Sequence, residues 1–507
     1  MQIELTLFTL IPMHIRLPTR EEIHQAFVKG EEAVVELILG LGLSLEELAK
    51  QLETQAAALQ ELQARQSKNS QNSSKPPSSD GYDKPKRTVS LRQSGQKPNG
   101  GQPGHPGRTL ERSAHPDQLE MHPVMTCSAC GITLQSVEVT GVEERQVFDI
   151  PAIRIEVTAH RAEIKVCPGC GLENRGVFPP NVTNVVQYGD GVKTWAAYFQ
   201  TEHFIPTART AQIFADLLHH PLSEGSILNA GQELVTQLEP ATAAIKKQLS
   251  QTDLLHVDES GLRVKGKLHW LHVAATDQAT DYTVHPQRGQ SAMTAAGILP
   301  DFKGRAVHDH WKPYFSYTGC THALCNAHHL RELKFIETAY GQRWAGQMAA
   351  LLLDMKQTVD SARENPPVPV TQDGIIALEQ RYDDLLNSGY GVNPRPPPPT
   401  PKRPKPRGRP AQTPPLNLLD RLRDFKSQTL MFLHDPRVPF ENNQAERDVR
   451  MIKVKQKVSG GFRTLEGAKN FVQIRGYIST ARKNAVNVFS AIRDAFCGKP
   501  FIPSDAL

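Results

Sequence analysis

The sequence predicts a mixed α/β protein in several parts. A core of strands and helices is split by a mainly helical insertion and preceded by a long N-terminal helix, a small zinc-ribbon-like module and a helical region. Three observations carry this reading. Between residues 253 and 309, short apolar runs and turn residues follow a strand–strand–strand–helix–strand order. Two Cys-x-x-Cys pairs flank a single strand-like stretch. Near the N-terminus, apolar residues recur every seven positions. At 507 residues the chain is long enough for about three or four domains. An apolar share of 39% is low for one globule, and 38 prolines exceed the average usage of about 5%. Folded parts joined by extended linkers are therefore expected.

Residues 20–66 are predicted to be helical. Ile38, Leu45, Leu52 and Leu59 keep heptad spacing, Leu48 and Leu62 fall on the adjacent track, and Glu46, Glu47, Lys50 and Glu53 take the other faces. A self-associating coiled coil and a helix packed on its own chain both fit this pattern, and Gln55 on the second track weakens the first. Residues 67–112 are poor in apolar anchors and rich in Ser, Asn, Gly and Pro, so they read as a flexible basic linker, either a DNA-following arm or a soluble tether.

Residues 120–180 hold Cys127, Cys130, Cys167 and Cys170, each pair followed by a glycine, on either side of a strand-like stretch from Val137 to Val166. Four thiolates suit tetrahedral structural zinc, although the 36 residues between the pairs exceed the usual spacing of about 15–20. Unrelated surface thiols are the alternative. The odd total of seven cysteines fits metal ligation in a reducing cytosol better than a disulfide framework. Residues 185–250 read as helices, with a turn at Leu218–Ser223 and Ser223 as cap. The arrangement suits a helix-turn-helix that reads DNA, or an ordinary helix pair.

The core is predicted in two parts, 251–315 and 431–497. Leu254–Val257 forms a strand ending at Asp258, with a turn at Glu259–Gly261. Leu268–Ala275 and Asp281–His285 continue a meander, Gln290–Leu299 is helical, and Arg305–His308 delivers Asp309. That order, with acids ending the first and fourth strands, is a ribonuclease-H-like layout in which the two carboxylates converge. Converging carboxylates suit a pair of magnesium or manganese ions, which can activate a nucleophile and stabilise a leaving oxygen on phosphorus. Without metal they repel one another and raise each other's pKa. The third acid is Glu446, preferred to Glu441 because it follows the Asn442/Asn443 cap of a basic helix. From Arg447 to Lys483 there are ten Lys/Arg and two acids, which suits a grip on DNA phosphates by Arg447, Arg450, Lys453, Lys455, Lys457 and Arg463. An ordinary i,i+4 ion pair between Glu446 and Arg450 is the plainer alternative.

The run VPFENNQAERDVRMIKVKQKVSGGFRTLEGAKNF closely resembles transposases of the insertion-sequence-66 family, as do NSSKPPSSDG, GGQPGHPGR, the paired Cys-x-x-Cys module and LLHVDESGLRVKGKLHWLHVAAT. The resemblance spans about residues 35–495 in one order. It implies a ribonuclease-H-like core with an Asp-Asp-Glu triad, here Asp258, Asp309 and Glu446. It also implies transposon-end and target DNA as partners, self-association, and small accessory proteins from the same element. The stretch between Asp309 and Glu446 then reads as a helical insertion over 316–430. Within it Cys325 and His328 are similar to a Cys-x-x-His signature that follows the second Asp in transposases with such insertions. Its expected part is to order the insertion near DNA, because a zinc site would need further ligands that the sequence does not name. Trp311 is a candidate for stacking on an unpaired base or for core packing. A Pro-rich basic arm at 391–415 is longer than in relatives and reads as extended.

No stretch is apolar enough to span a membrane and no export signal is evident, so a cytoplasmic, nucleoid-associated protein is expected. A DNA-binding descendant without activity and a nuclease that cuts without joining remain open as alternatives.

Overall fold

A computed structural model describes residues 17–67, 110–363, 369–395 and 412–503. Most of the basic linker and most of the Pro-rich arm lie outside the described residues. The chain divides into two compact units, one from Met1–Pro85, Glu239–Val486 and Phe501–Leu507, the other from Lys86–Leu238 and Asn487–Pro500. The architecture is mixed α/β, with helices around a mixed sheet.

The N-terminal helix is broken once. Helix α1 (Arg20–Lys29) starts with a capping box in which Thr19 and Glu22 satisfy each other's backbone. It stops at Gly30, whose φ of 114° suits glycine alone. Helix α2 (Glu31–Ser67) then runs for 37 residues. Ile38, Leu45, Leu52, Leu59 and Leu62 are all exposed along it.

The second unit contains the cysteine module. Of the predicted strand from Val137 to Val166, only β1 (Ile164–Val166) forms, paired antiparallel to β2 (Glu173–Arg175). From Leu110 to Pro180 no residue is buried, so the β-branched residues of that stretch have nothing to pack against. Helices α3 (Asp190–Ala197), α4 (Thr207–Leu218) and α5 (Glu224–Gln237) follow. The turn falls where expected and Ser223 Oγ accepts the Ser226 amide at 3.0 Å. Phe214, Leu222 and Ile227 form their core.

In the first unit, α6 (Glu239–Gln251) leads into β3 (Leu254–Val264), β4 (Lys267–Ala275) and β5 (Thr280–His285), an antiparallel meander. The predicted turn at Glu259–Gly261 is absent, and β3 continues through it. Gly261 pairs with Trp270, and a Cβ there would meet Leu268 at 3.1 Å, so this glycine accommodates a close neighbour rather than a bend. The turn lies at Lys265–Gly266, both at positive φ. Asp258 is therefore mid-strand and not at a strand end. After α7 (Gln290–Ala296), β6 (Arg305–His308) pairs parallel to β3, and β7 (Thr321–Leu324) parallel to β6. The sheet order is β5-β4-β3-β6-β7. Strand β7 falls inside the stretch predicted as insertion, because four residues are too few to show a period.

Helices α8 (Asn326–Tyr340), α9 (Arg343–Ala362), α10 (Gln372–Val392) and α11 (Pro414–Asp424) pack around Leu333, Trp344, Leu352, Tyr382 and Leu419. Short helices α12 (Lys426–Thr429) and α13 (Met431–His434) follow. Gly389 lies where a Cβ would stand 2.5 Å from Leu419 Cδ2 and 3.1 Å from Trp344. Gly389→Ala is expected to cost about 1–3 kcal/mol by overpacking, read as a lower thermal midpoint with the fold retained. Helix α14 (Asn443–Ser459) lies on β3 and β4, and α15 (Leu465–Lys483) on β5. Helix α16 (Val488–Phe496) belongs to the second unit, where Phe489 meets Trp195 edge to face.

Candidate active site

The parallel ladder of β3 and β6 ends at the pair His256–Val307. Two residues further on stand Asp258, within β3, and Asp309, the first residue after β6. The ladder brings the two acids near enough for the Asp309 charge to act on Asp258. Asp258 Oδ1 accepts the Glu259 amide at 2.8 Å, and Asp309 Oδ1 accepts the Trp311 amide at 2.9 Å. Glu446 is in the first turn of α14.

Electrostatics ties the acids together. Burial, then the charges of Glu259, Asp309 and Glu446, hold the Asp258 carboxyl well above its ordinary range. Burial and the Glu259 charge push Asp309 up to about 7. Burial also raises Glu446, against the opposing charges of Arg331 and Arg450, each 3.8 Å away. Such a cluster favours protons or cations over bare charge.

Glu259 is a fourth acid that the sequence reading used only as a turn. Its carboxylate is buried and accepts Arg288 Nη2 at 2.5 Å, Arg288 Nε at 2.9 Å and the Tyr314 hydroxyl. The Arg288 guanidinium in turn stacks 4.0 Å from Trp311 and 4.8 Å from Trp270. This face of Trp311 is thus occupied by arginine. Only the adjacency of Glu259 to Asp258 hinted at the role, since its partners lie 29 and 55 residues away.

Asn442 does not cap α14 with its side chain. It is buried, donates from Nδ2 to Val257 O at 2.8 Å, and pairs through Oδ1 with His256 Nδ1 at 2.8 Å. Its amide donates to Cys325 Sγ at 3.2 Å. One side chain therefore pins the start of α14, and with it Glu446, to the strand that carries Asp258. Asn442→Ala strips a partner from His256 and from Val257, at about 1–3 kcal/mol for each group left unsatisfied. Urea unfolding should record that loss, and a conservative Asn442→Asp should recover only part of it.

The expected phosphate contacts separate into two groups. Arg447, Arg450, Lys457 and Arg463 are exposed. Lys455 is instead buried, donating to Gly460 O at 2.9 Å beneath the Phe462 ring, and burial lowers it to about 8. Lys453 donates to Gly261 O at 2.9 Å. Both tether α14 to its surroundings, because their long stems reach backbone carbonyls before solvent.

Cys325 caps α8, and His328 lies in its first turn. One ligand atom each from Cys325, His328 and Glu446 lie within 4.8 Å of one another, and among the described residues this is the one such group of three metal-type ligands. The two Cys-x-x-Cys pairs are not joined into such a group. Each forms its own knuckle, with the Gly131 and Gly171 amides donating to the Cys127 and Cys167 carbonyls at 3.0 and 2.8 Å. Amides of Cys130 and Ala129 lower the Cys127 thiol, and those of Cys170 and Gly169 lower Cys167. Amides aimed at a sulfur favour thiolate, the form a metal needs, so the donor set fits zinc.

Among the described residues no helix is long and apolar enough to cross a membrane. Residues 186–470 match the transposase IS66 family, residues 125–171 match the zinc-finger binding domain of transposase IS66, and residues 16–111 match a family of unknown function. No curated protein matches the chain. The first of these matches takes in Asp258, Asp309 and Glu446 and covers more than half of the sequence, and the chain belongs to the IS66 transposase family.

Proposed function

We propose that this protein is a DNA transposase that cuts at the ends of its element and joins them to target DNA, using Asp258, Asp309 and Glu446. The observation that carries the reading is the β3–β6 register, whose last pair, His256–Val307, stands two residues before Asp258 and two before Asp309. The central position of β3, the antiparallel meander it opens, and the parallel strands β6 and β7 on its other side support a ribonuclease-H-like core interrupted by the helices between β7 and α14. Two magnesium or manganese ions, when bound, would supply an activated water or 3′-hydroxyl and neutralise the leaving oxygen. Asp258 and Asp309 would hold them from the sheet, and Glu446 from α14. Arg288 and Tyr314 immobilise Glu259 next to Asp258. Arg447, Arg450, Lys457 and Arg463 would grip backbone phosphates. Structural zinc on Cys127, Cys130, Cys167 and Cys170 would shape the module that, with α4 and α5, recognises the ends. The exposed leucine stripe of α2 supports self-association as a coiled coil.

Purified protein, a donor end with a free 3′-hydroxyl, a target plasmid and magnesium test this directly. Covalent donor–target joints are expected. Cut donor without joints would leave a nuclease, and a shifted but intact donor would leave a DNA-binding protein.

A further inference from the structure

We propose that Cys325, His328 and Glu446 form a zinc site of their own, distinct from the four-cysteine module. The assignment rests on ligand geometry and not on the catalytic reading. Their ligand atoms lie within 4.8 Å of one another although Glu446 is far from the other two in sequence. Two of the three are also unsatisfied: His328 Nδ1 and Glu446 Oε1 are buried and accept no hydrogen bond. Buried polar atoms without partners are rare and ask for an explanation. A shared cation supplies one here.

The framework around the group is rigid. Cys325 Sγ already accepts the Asn442 amide, and the Cys325 amide donates to His308 O at 2.9 Å, fixing the thiol between β7 and α8. His328 follows three residues later on the same helical face. Glu446 comes from the start of α14, held in place by Asn442. Arg331 and Arg450 are the nearby cations, and at 3.8 Å neither makes a close pair with Glu446. One sulfur, one imidazole and one carboxylate are a borderline-soft set. They suit zinc rather than magnesium, with a fourth position left for water. Under the catalytic reading above, Glu446 is then a ligand for which two sites compete.

The test is zinc content of the full-length protein, equilibrated with buffered zinc in excess magnesium, by elemental analysis. Wild type should carry two zinc ions per chain, and Cys325→Ser, His328→Asn and Glu446→Gln one fewer each. Cobalt substitution gives a second reading, as wild type should show one more thiolate-to-cobalt charge-transfer contribution than Cys325→Ser. Should Cys325→Ser fail to fold, His328→Asn decides, since that side chain makes no hydrogen bond to lose at Nδ1. Equal zinc in folded wild type and His328→Asn would overturn the site, whatever the strand-transfer result.

Discussion

Asp258→Asn is expected to lower strand transfer by roughly a thousandfold or more and to raise the melting temperature of the metal-free protein. The first effect follows from the several kcal/mol that metal-ion catalysis contributes, each 1.4 kcal/mol being tenfold in rate. The second follows from the cost of the site itself. Asp258 is raised by burial and by three neighbouring acids, and Asp309 is pushed from 3.8 to about 7. Between those pH values the folded chain holds a proton at Asp309 that the unfolded chain has lost. Metal-free stability should therefore fall as pH rises from about 4 to 7. Neutralising an acid removes part of that slope, and the midpoint rises by about 2–4 °C for each kcal/mol relieved. Magnesium or manganese should stabilise wild type more at pH 8 than at pH 5.5, where Asp309 keeps its proton. A thermal melt series over pH, with and without metal, reads all of this. A variant both inactive and less stable without metal would mean that Asp258 is a structural residue.

The second large effect is expected from removing zinc. From Leu110 to Pro180 no side chain is buried, and the only strands there are three residues each. A segment with no apolar core must take its stability from elsewhere, and structural zinc contributes on the order of 10–16 kcal/mol to modules of this kind. Chelation, or Cys127→Ser with Cys167→Ser, should bring amide exchange over 120–180 to unprotected rates. The sheet of β3–β7 should keep its protection, as its core is formed by Leu255, Val257, Phe302 and Ala306. Binding to element ends should be lost with the module. Unchanged exchange after complete zinc loss would show that the segment folds without it.

Much of the site was legible from local pattern. Arg305–His308 is legible as a strand at its observed bounds, because the apolar pair Ala306–Val307 stands between polar, turn-forming segments. Ser223 is legible as a cap from its type and position. What failed depended on partners distant in sequence. Glu259 and Gly261 looked like a turn, since neither Arg288 and Tyr314 nor the closeness of Leu268 can be seen locally. Asn442 looked like a cap, whereas its partners are on β3. Lys455 counted as one more basic residue until Gly460 and Phe462 folded over it. Cys325 and His328 lacked a third ligand only because Glu446 arrives from another helix.

Three acids, from β3, the residue after β6 and α14, are proposed to hold two cations together. Anomalous diffraction from crystals grown with manganese measures this most directly. Two peaks bounded by Asp258, Asp309 and Glu446 are predicted. Peaks at Cys325 and His328 alone, with the aspartates bare at saturating manganese, would contradict it.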